Sequence, residues 1–337
     1  MSQIETNPVR QRAKWSTYQK YVVFLLLVVY TFNFIDRQII AILSPSIKAD
    51  LGLSDTELGL LKGFAFALFY ALFGFPIARL ADRKNRVTII SVTIALWSGM
   101  TALCGAAQNF SQLLLARMGV GVGEAGCSPP AHSLISDYFP KSERASALGI
   151  YSLGISFGTL FGILLGGLMA EAFGWRWAFV LVGLPGVLLA VIVKLTLKEP
   201  IRGSLDGLAA EDSIKSEPVP DLRDSFITMW NIKSFRILCI CGALTAFCSF
   251  ALALWIVDYL FRSHELTYSD LTWPLAFVMG IGGGIGTVSG GYIADFWGQK
   301  DETSYFTFIA LAHFISCLLY TSPSPRDRTR SRMPSSA

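Results

Sequence analysis

The chain is short of charge. Of its 337 residues only 15% are Asp, Glu, Lys or Arg, against about 25% in an ordinary soluble domain, while 53% are hydrophobic. A soluble fold has too little interior for that much apolar surface, so a soluble enzyme, a disordered chain and a nucleic-acid binder are all excluded. Histidine is scarce as well: His132, His264 and His313 are the only three. None of them forms a metal or nucleophile constellation with Ser or Cys, so no cofactor or metal site is predicted and an enzyme is the weakest reading. The six cysteines, Cys104, Cys127, Cys239, Cys241, Cys248 and Cys317, lie in apolar runs without zinc-site spacing and read as small apolar fillers. Residues 1–20 lack the short apolar core of a signal peptide. The net charge of +4 is misleading, because Arg326, Arg328, Arg330 and Arg332 against Asp327 give +3 of it in the last 17 residues. No basic surface is left for nucleic acid.

Long apolar runs are what the chain does have. A membrane-crossing helix needs about 20 such residues. Nine spans are predicted, at 20–44, 58–81, 87–107, 111–138, 144–170, 176–197, 235–259, 272–296 and 303–320. Ser111 and Ser142 read as helix caps, and Pro45 as the punctuation that ends span 1. Lys and Arg collect on one side: Arg10, Arg12, Lys14 and Lys20, then Arg79, Arg83, Lys84 and Arg86, then Lys141, Arg144, the 198–234 loop and Lys300. The other side holds Lys48, Arg176 and Arg262. The positive-inside rule therefore places the N-terminus and the 198–234 loop in the cytoplasm.

A repeat is visible across that loop. Ala78, Asp82, Asn85 and Arg86 after span 2 correspond to Gly291, Asp295, Gly298 and Lys300 after span 8, and the two aspartates are 213 apart. The predicted organisation is a cytoplasmic segment at 1–19, a six-helix bundle at 20–197, a cytoplasmic linker at 198–234 and a partial three-helix bundle at 235–320. Two halves around a midplane site is a transporter arrangement. Asp82 can cap a neighbouring helix N-terminus, held by Arg83 or Arg86. Asn85 is the non-Gly residue type most tolerant of a left-handed turn.

Ionisable groups inside a membrane are expensive and need a reason. Asp36 lies eight residues before Ser44, so about 12 Å below the far end of span 1, and Arg117 lies six residues into span 4, about 9 Å deep. Glu124 is seven residues beyond Arg117, two turns along the same helix face. Two readings stay open. Asp36 and Arg117 form a buried ion pair that only fixes packing, or Asp36 and Glu124 carry protons while Arg117 alternates between a carboxylate and an anionic headgroup. Arg37 points about 100° away from Asp36 and either faces the cavity as a second headgroup contact or snorkels; Asn33, one turn earlier, is a hydrogen-bonding and substrate-contact candidate. The glycines at 119, 121 and 123 favour close helix approach, and Ser128, Pro129 and Pro130 kink span 4. The glycines between 280 and 286 make span 8 deformable. Span 2 carries Phe64, Phe66, Phe69, Tyr70, Phe73 and Phe75, without indicating which line a cavity.

These motifs resemble the major facilitator superfamily. The two loops are similar to its motif A, departing at Ala78 and Asn85. Gly158, Gly162 and Gly166 in span 5 resemble its antiporter motif, with Ile163 in place of Pro. Within it, Asn33 to Arg37 and Arg117 to Ala125 resemble the Spinster family. The resemblance implies an all-α membrane fold of two bundles, proton-coupled secondary transport by alternating access, and a lysolipid-like or other amphipathic anionic substrate. It also implies transport roles for Asp36, Arg117 and Glu124, and a gating role for Asp82, Arg83, Arg86 and Asp295, with Asp82 latching onto a helix 11. A small organic anion, a carboxylate or sugar acid, is the rival substrate, and a non-transporting membrane sensor or assembly protein the rival class. The expected partners are the substrate, protons and the bilayer of the cell membrane.

Residues 321–337 have no helical period and read as a non-native tail after a truncated frame, with a disordered basic tail as the alternative. Sequencing the source locus past the Tyr320 codon is expected to show about 100 further residues with three more spans, the complement of a second half. A frame that ends at Ala337 shifts the balance to the non-transporting reading.

Overall fold

A computed structural model describes residues 15–203, 205, 222–298 and 303–321. Most of the 1–19 segment, the middle of the linker, Lys300 and the tail lie outside the described residues. All nine predicted spans are helical. In chain order they are α1 (Thr17–Leu51), α2 (Asp55–Gly59) continuing through a π turn (Leu60–Phe64) into α3 (Ala65–Arg83), α4 (Arg86–Ala106), α5 (Phe110–Glu124), α6 (Ser128–Tyr138), α7 (Lys141–Phe173), α8 (Trp175–Thr196), the short α9 (Leu222–Asn231), α10 (Lys233–His264), α11 (Tyr268–Leu275) continuing through a second π turn (Ala276–Gly282) into α12 (Gly283–Gly298), and α13 (Thr303–Thr321). Among the described residues, seven continuous stretches are long and apolar enough to cross a membrane. Residues 1–281 and 282–337 form two units; in the second, α12 and α13 meet through Trp297 and Phe308, 5.7 Å apart.

Four local expectations are corrected. The helix α1 does not end at Pro45 but runs to Leu51, where Gly52 caps it at φ 64°. Proline cannot donate to the carbonyl four residues back, and Ser44 Oγ lies 2.7 Å from that Ala41 carbonyl. Ser111 and Ser142 are not caps: Asn109 caps α5, its side chain accepting from the Gln112 N–H, and α7 follows Pro140. Span 4 is not merely kinked but broken between Glu124 and Ser128, because Pro129 and Pro130 leave the preceding carbonyls without N–H partners. Asn85 stays at φ −64° and caps α4, its Oδ1 accepting from the Thr88 N–H at 2.8 Å.

Small residues set the helix spacing. On α7, Gly154, Gly158 and Gly162 recur every fourth position and face α1. A Cβ on Gly158 would lie 2.6 Å from the Thr31 carbonyl oxygen, and one on Gly162 would lie 2.8 Å from Gln38 Cβ. Gly166 continues the row against Ile39 and Ile42. On α5 the same holds for Gly121 against Phe66 and Gly123 against Trp97. The buried apolar side chains form two clusters along α1, one from Val22 to Val29 and one from Ile35 to Ile47. The polar residues Asn33, Asp36 and Arg37 fall at the seam.

Replacing Gly158 by Leu is expected to push α1 off α7 and destabilise the chain by about 1–3 kcal/mol, read as a lower melting temperature in detergent. Gly149 has nothing within 4 Å of its Cβ position, so Gly149→Ala is expected to leave the melting temperature unchanged or slightly raised.

Candidate functional site

The seam brings α1, α3, α4 and α5 together around a group of buried polar side chains. From α1, Arg37 Nε donates to Glu124 Oε2 at 2.7 Å; the Glu124 side chain is fully buried and that of Arg37 is 18% exposed. Three rings surround the Arg37 guanidinium: Phe34 at 4.9 Å, Phe66 at 5.2 Å and Tyr70 at 4.9 Å from its carbon. A cation among ring faces is held by their quadrupoles, about 2 kcal/mol when desolvated. Arg37 therefore faces the interior and does not snorkel. This also selects, from the aromatic row of span 2, Phe66 and Tyr70 as lining residues, whereas Phe64 and Phe75 are exposed on the outer surface.

Arg117 is fully buried beside this pair, its guanidinium carbon 5.5 Å from the Phe66 ring. It reaches the backbone carbonyl of Asp36 at 3.5 Å through Nη1. The ion pair formed here is Arg37–Glu124, whereas Arg117, which one of the two open readings paired with the Asp36 carboxylate, reaches the main chain of α1. Thr101 of α4 lies near the Asp36 carboxyl and Asn33 near that of Glu124, neither within hydrogen-bonding geometry. Several of these atoms lack a hydrogen-bond partner while fully enclosed: both amide atoms of Asn33, Asp36 Oδ1, Thr101 Oγ1, Arg117 Nε and Glu124 Oε1. Buried polar atoms are almost always partnered. Six such atoms lie together in this site. Among the described residues no group of three or more His, Cys, Asp or Glu gathers as a metal site.

The loop residues go elsewhere. Arg86 is buried, but it binds neither Asp82 nor a helix N-terminus. Its Nε donates to Glu199 Oε1 at 2.6 Å and its Nη1 to Ser133 Oγ at 2.7 Å, and it pairs with Asp137 of α6. Arg202 and Gly203 complete this strap, Arg202 donating to the Ala81 carbonyl at 2.7 Å and the Gly203 N–H to Asp137 Oδ1 at 3.1 Å. The start of the linker is thereby tied to the loop after α3. Asp82 and Arg83 are exposed. The side chain of Asp295 lies outside the described residues.

Sequence reasoning passed over a second buried charge cluster. Lys62, on the first π turn, pairs with Asp258 of α10, and their side chains are 1% and 3% exposed. The signal was available, since a lysine inside an apolar span obeys the same rule that picked out Asp36. It was missed because both residues lie near span ends, where charges are commonplace.

The sequence profile of the Major Facilitator Superfamily matches residues 26–327. An MFS-type efflux pump of Mycolicibacterium smegmatis is 32% identical over 280 residues, 82% of this chain and 62% of the pump. The hexuronate transporter of Bacillus subtilis is 27% identical over 304 residues, 88% of this chain and 69% of that one. Among solved structures, an inward-facing, unoccupied bacterial homologue of the human lysosomal transporter Spinster matches with a TM-score of 0.70 and 36% identity, over 85% of this chain and 64% of that one. The chain thus spans less than two thirds of the pump and of the Spinster homologue. These proteins are transporters or pumps by name, and the profile match runs from α1 through α13, across the glycine stripe and the buried charges: the chain belongs to the Major Facilitator Superfamily.

Proposed function

We propose that this chain carries the substrate and proton site of a secondary active transporter, and that its substrate is an amphipathic, lipid-like anion. The observation that supports this reading is the Arg37–Glu124 pair in its aromatic surround, with orphaned polar atoms on every side. An arginine cannot give up its proton, so Arg37 must always face a negative group when buried. Glu124 is that group when ionised. Protonation of Glu124 removes the counter-charge and leaves Arg37 to take an anionic headgroup, with Arg117 close enough to share it. Proton and anion then load together, and loss of the proton returns Glu124 to Arg37 and expels the anion. Asp36, beside Thr101, is the second proton carrier, and Asn33 orients Glu124 or the headgroup. The rings of Phe34, Phe66 and Tyr70 offer apolar contact next to the cation, which suits a headgroup with an attached chain.

In this reading the N-terminus is cytoplasmic, as the Lys and Arg distribution requires. The halves 20–197 and 235–320 rock about the site, and Gly158, Gly162 and Gly166 keep α1 bound to α7 as they do so. Asp82, Arg83 and Arg86 sit at the cytoplasmic hinge, with Arg86 transmitting movement of the linker to α4 and α6; Asp295 is the counterpart of Asp82 in the second half. Resemblance to the hexuronate transporter supports a second reading, a sugar acid bound by the same arginines.

Uptake of a radiolabelled anionic lysophospholipid into proteoliposomes under an imposed pH gradient tests both. Glu124→Gln and Asp36→Asn are each expected to lower gradient-driven uptake about tenfold or more, equivalent to at least about 1.4 kcal/mol, and Arg37→Ala to abolish substrate binding. Unchanged gradient-driven uptake in both carboxyl variants overturns the coupling. Gradient-driven uptake of labelled hexuronate, with no saturable uptake of labelled lysophospholipid, selects the sugar-acid reading.

A further inference from the structure

We propose that His132, with the stacked pair Tyr30 and Tyr151, is the entry by which a proton reaches Glu124 from the end of the bundle that holds the start of α1. The relay rests on the reading above, in which Glu124 gains and loses a proton, and adds the route that proton takes. Three helices meet around the break between α5 and α6: α1 through Tyr30, α7 through Tyr151, and α6 through Ser128 and His132. Gln19 Nε2, near the start of α1, donates to the Tyr138 carbonyl at the end of α6 at 2.7 Å. The helix α6 therefore runs from the break toward that end.

The Tyr30 and Tyr151 rings stack with centroids 4.3 Å apart and planes at 12°. They can do so because Gly154, one turn beyond Tyr151, lets α7 lie against α1; a Cβ there would fall 2.9 Å from Tyr30 Cβ. The ring of the exposed His132 stands edge-on to Tyr151, centroids 5.4 Å apart and planes at 82°. On its other side Tyr30 meets Phe34, one of the rings around Arg37, at 5.1 Å. An unbroken aromatic row thus joins the exposed imidazole to the central cation. His132 follows Ser128 by four residues, so both lie on one side of α6.

The row is polar where packing alone would leave it apolar. Tyr151 is fully buried, and its hydroxyl is enclosed near Cys127 and Ser128 without hydrogen-bonding geometry to either. Ser128 is also near the Tyr30 hydroxyl, and Cys127 is near Glu124. Phenylalanine would fill the Tyr151 space without burying an unpaired hydroxyl. The break adds acceptors, since Pro129 and Pro130 cannot donate to the Ala125 and Gly126 carbonyls four residues back. On Glu124, Arg37 occupies Oε2, while Oε1 is enclosed and accepts nothing. The incoming proton therefore has an oxygen of its own.

The transfer balances. The bare ring nitrogen of His132 takes a proton from water, and the other ring N–H gives one inward. Each hydroxyl or water of the route accepts on a lone pair as it gives up its own hydrogen, and the last proton lands on Glu124 Oε1. Every relay group ends with the hydrogens it began with, and one carboxylate has become a carboxylic acid at the expense of one solvent proton. Histidine suits the entry because it exchanges protons near neutral pH. Other charged and titratable groups flank the route. Arg37 of α1 and Tyr70 of α3 lie near Tyr30. From α4, Arg86 bonds Ser133, the neighbour of His132, and is neutralised by Asp137 and Glu199.

The test follows the full chain in lipid nanodiscs by infrared spectroscopy. The carbonyl stretch of protonated Glu124 is identified by its loss in Glu124→Gln, and its rise is timed after photolysis of a caged proton. His132→Ala, His132→Gln and Tyr151→Phe are each expected to slow the rise about tenfold or more and to leave its final amplitude unchanged. Added imidazole is expected to restore the rate in both His132 variants but not in Tyr151→Phe, which a purely structural role of His132 would not produce. An unchanged rise time in the His132 variants and Tyr151→Phe overturns the relay, as does a slowed rise in the His132 variants that imidazole leaves slow. In either case the Glu124 band itself still stands. A Glu124 band that is absent, or the same at every pH, overturns the protonation of Glu124 and the relay with it.

Discussion

A guanidinium that cannot be discharged, placed where water is scarce, governs the centre of this protein. Arg37 must be answered by a carboxylate or by something that replaces one. Glu124 answers it from α5, and α5 is near enough because Gly121 and Gly123 let it lie against α3 and α4 without side chains between. The break after Glu124 follows from Pro129 and Pro130, so the helix that supplies the carboxylate ends at the carboxylate. Removing either partner alone strands a charge in an apolar bundle, at about 3–5 kcal/mol. In the proposed mechanism, that penalty binds proton, carboxylate and anion into one exchange.

The existence and approximate position of the helices were legible in the sequence because a run of about 20 apolar residues admits few other structures in a bilayer. The small-residue stripe of α7 was legible for a similar reason, since glycine every fourth residue leaves one helix face bare. The pairing of charges was not. Asp36 and Arg37 are neighbours about 100° apart on α1, so a modest error in helix rotation exchanges which one faces Arg117 and Glu124. Nothing in a single sequence fixes that rotation. The six orphaned polar atoms are a property of the packed state and could not have been counted beforehand.

Local chemistry misled at Pro45 and Asn85 for physical reasons. Proline usually ends a helix, but a serine just before it sits within reach of the freed carbonyl, and α1 continues for six more residues, to Leu51. Asparagine tolerates a left-handed turn, but its side chain also caps helices, and with Thr88 three residues on, the cap prevails. Arg86 illustrates a third case. Its position in the motif suggested an intraloop contact, whereas Glu199 and Asp137, distant in sequence, draw it inward and bury it.

The two buried charge clusters are linked by α1. Ser44 lies seven residues beyond Arg37, two turns along, so both occupy one face of the helix about 10 Å apart. Asn33, one turn before Arg37, shares that face. The residues that meet the α7 glycines, Thr31, Ile35, Gln38 and Ile42, lie on another face. One side of α1 is therefore fixed to its own bundle by close packing that tolerates no added methyl group. The other side carries the central cation and, at the far end, the serine that touches Asp258. A small roll or tilt of α1 relative to α3 and α10 alters both clusters at once.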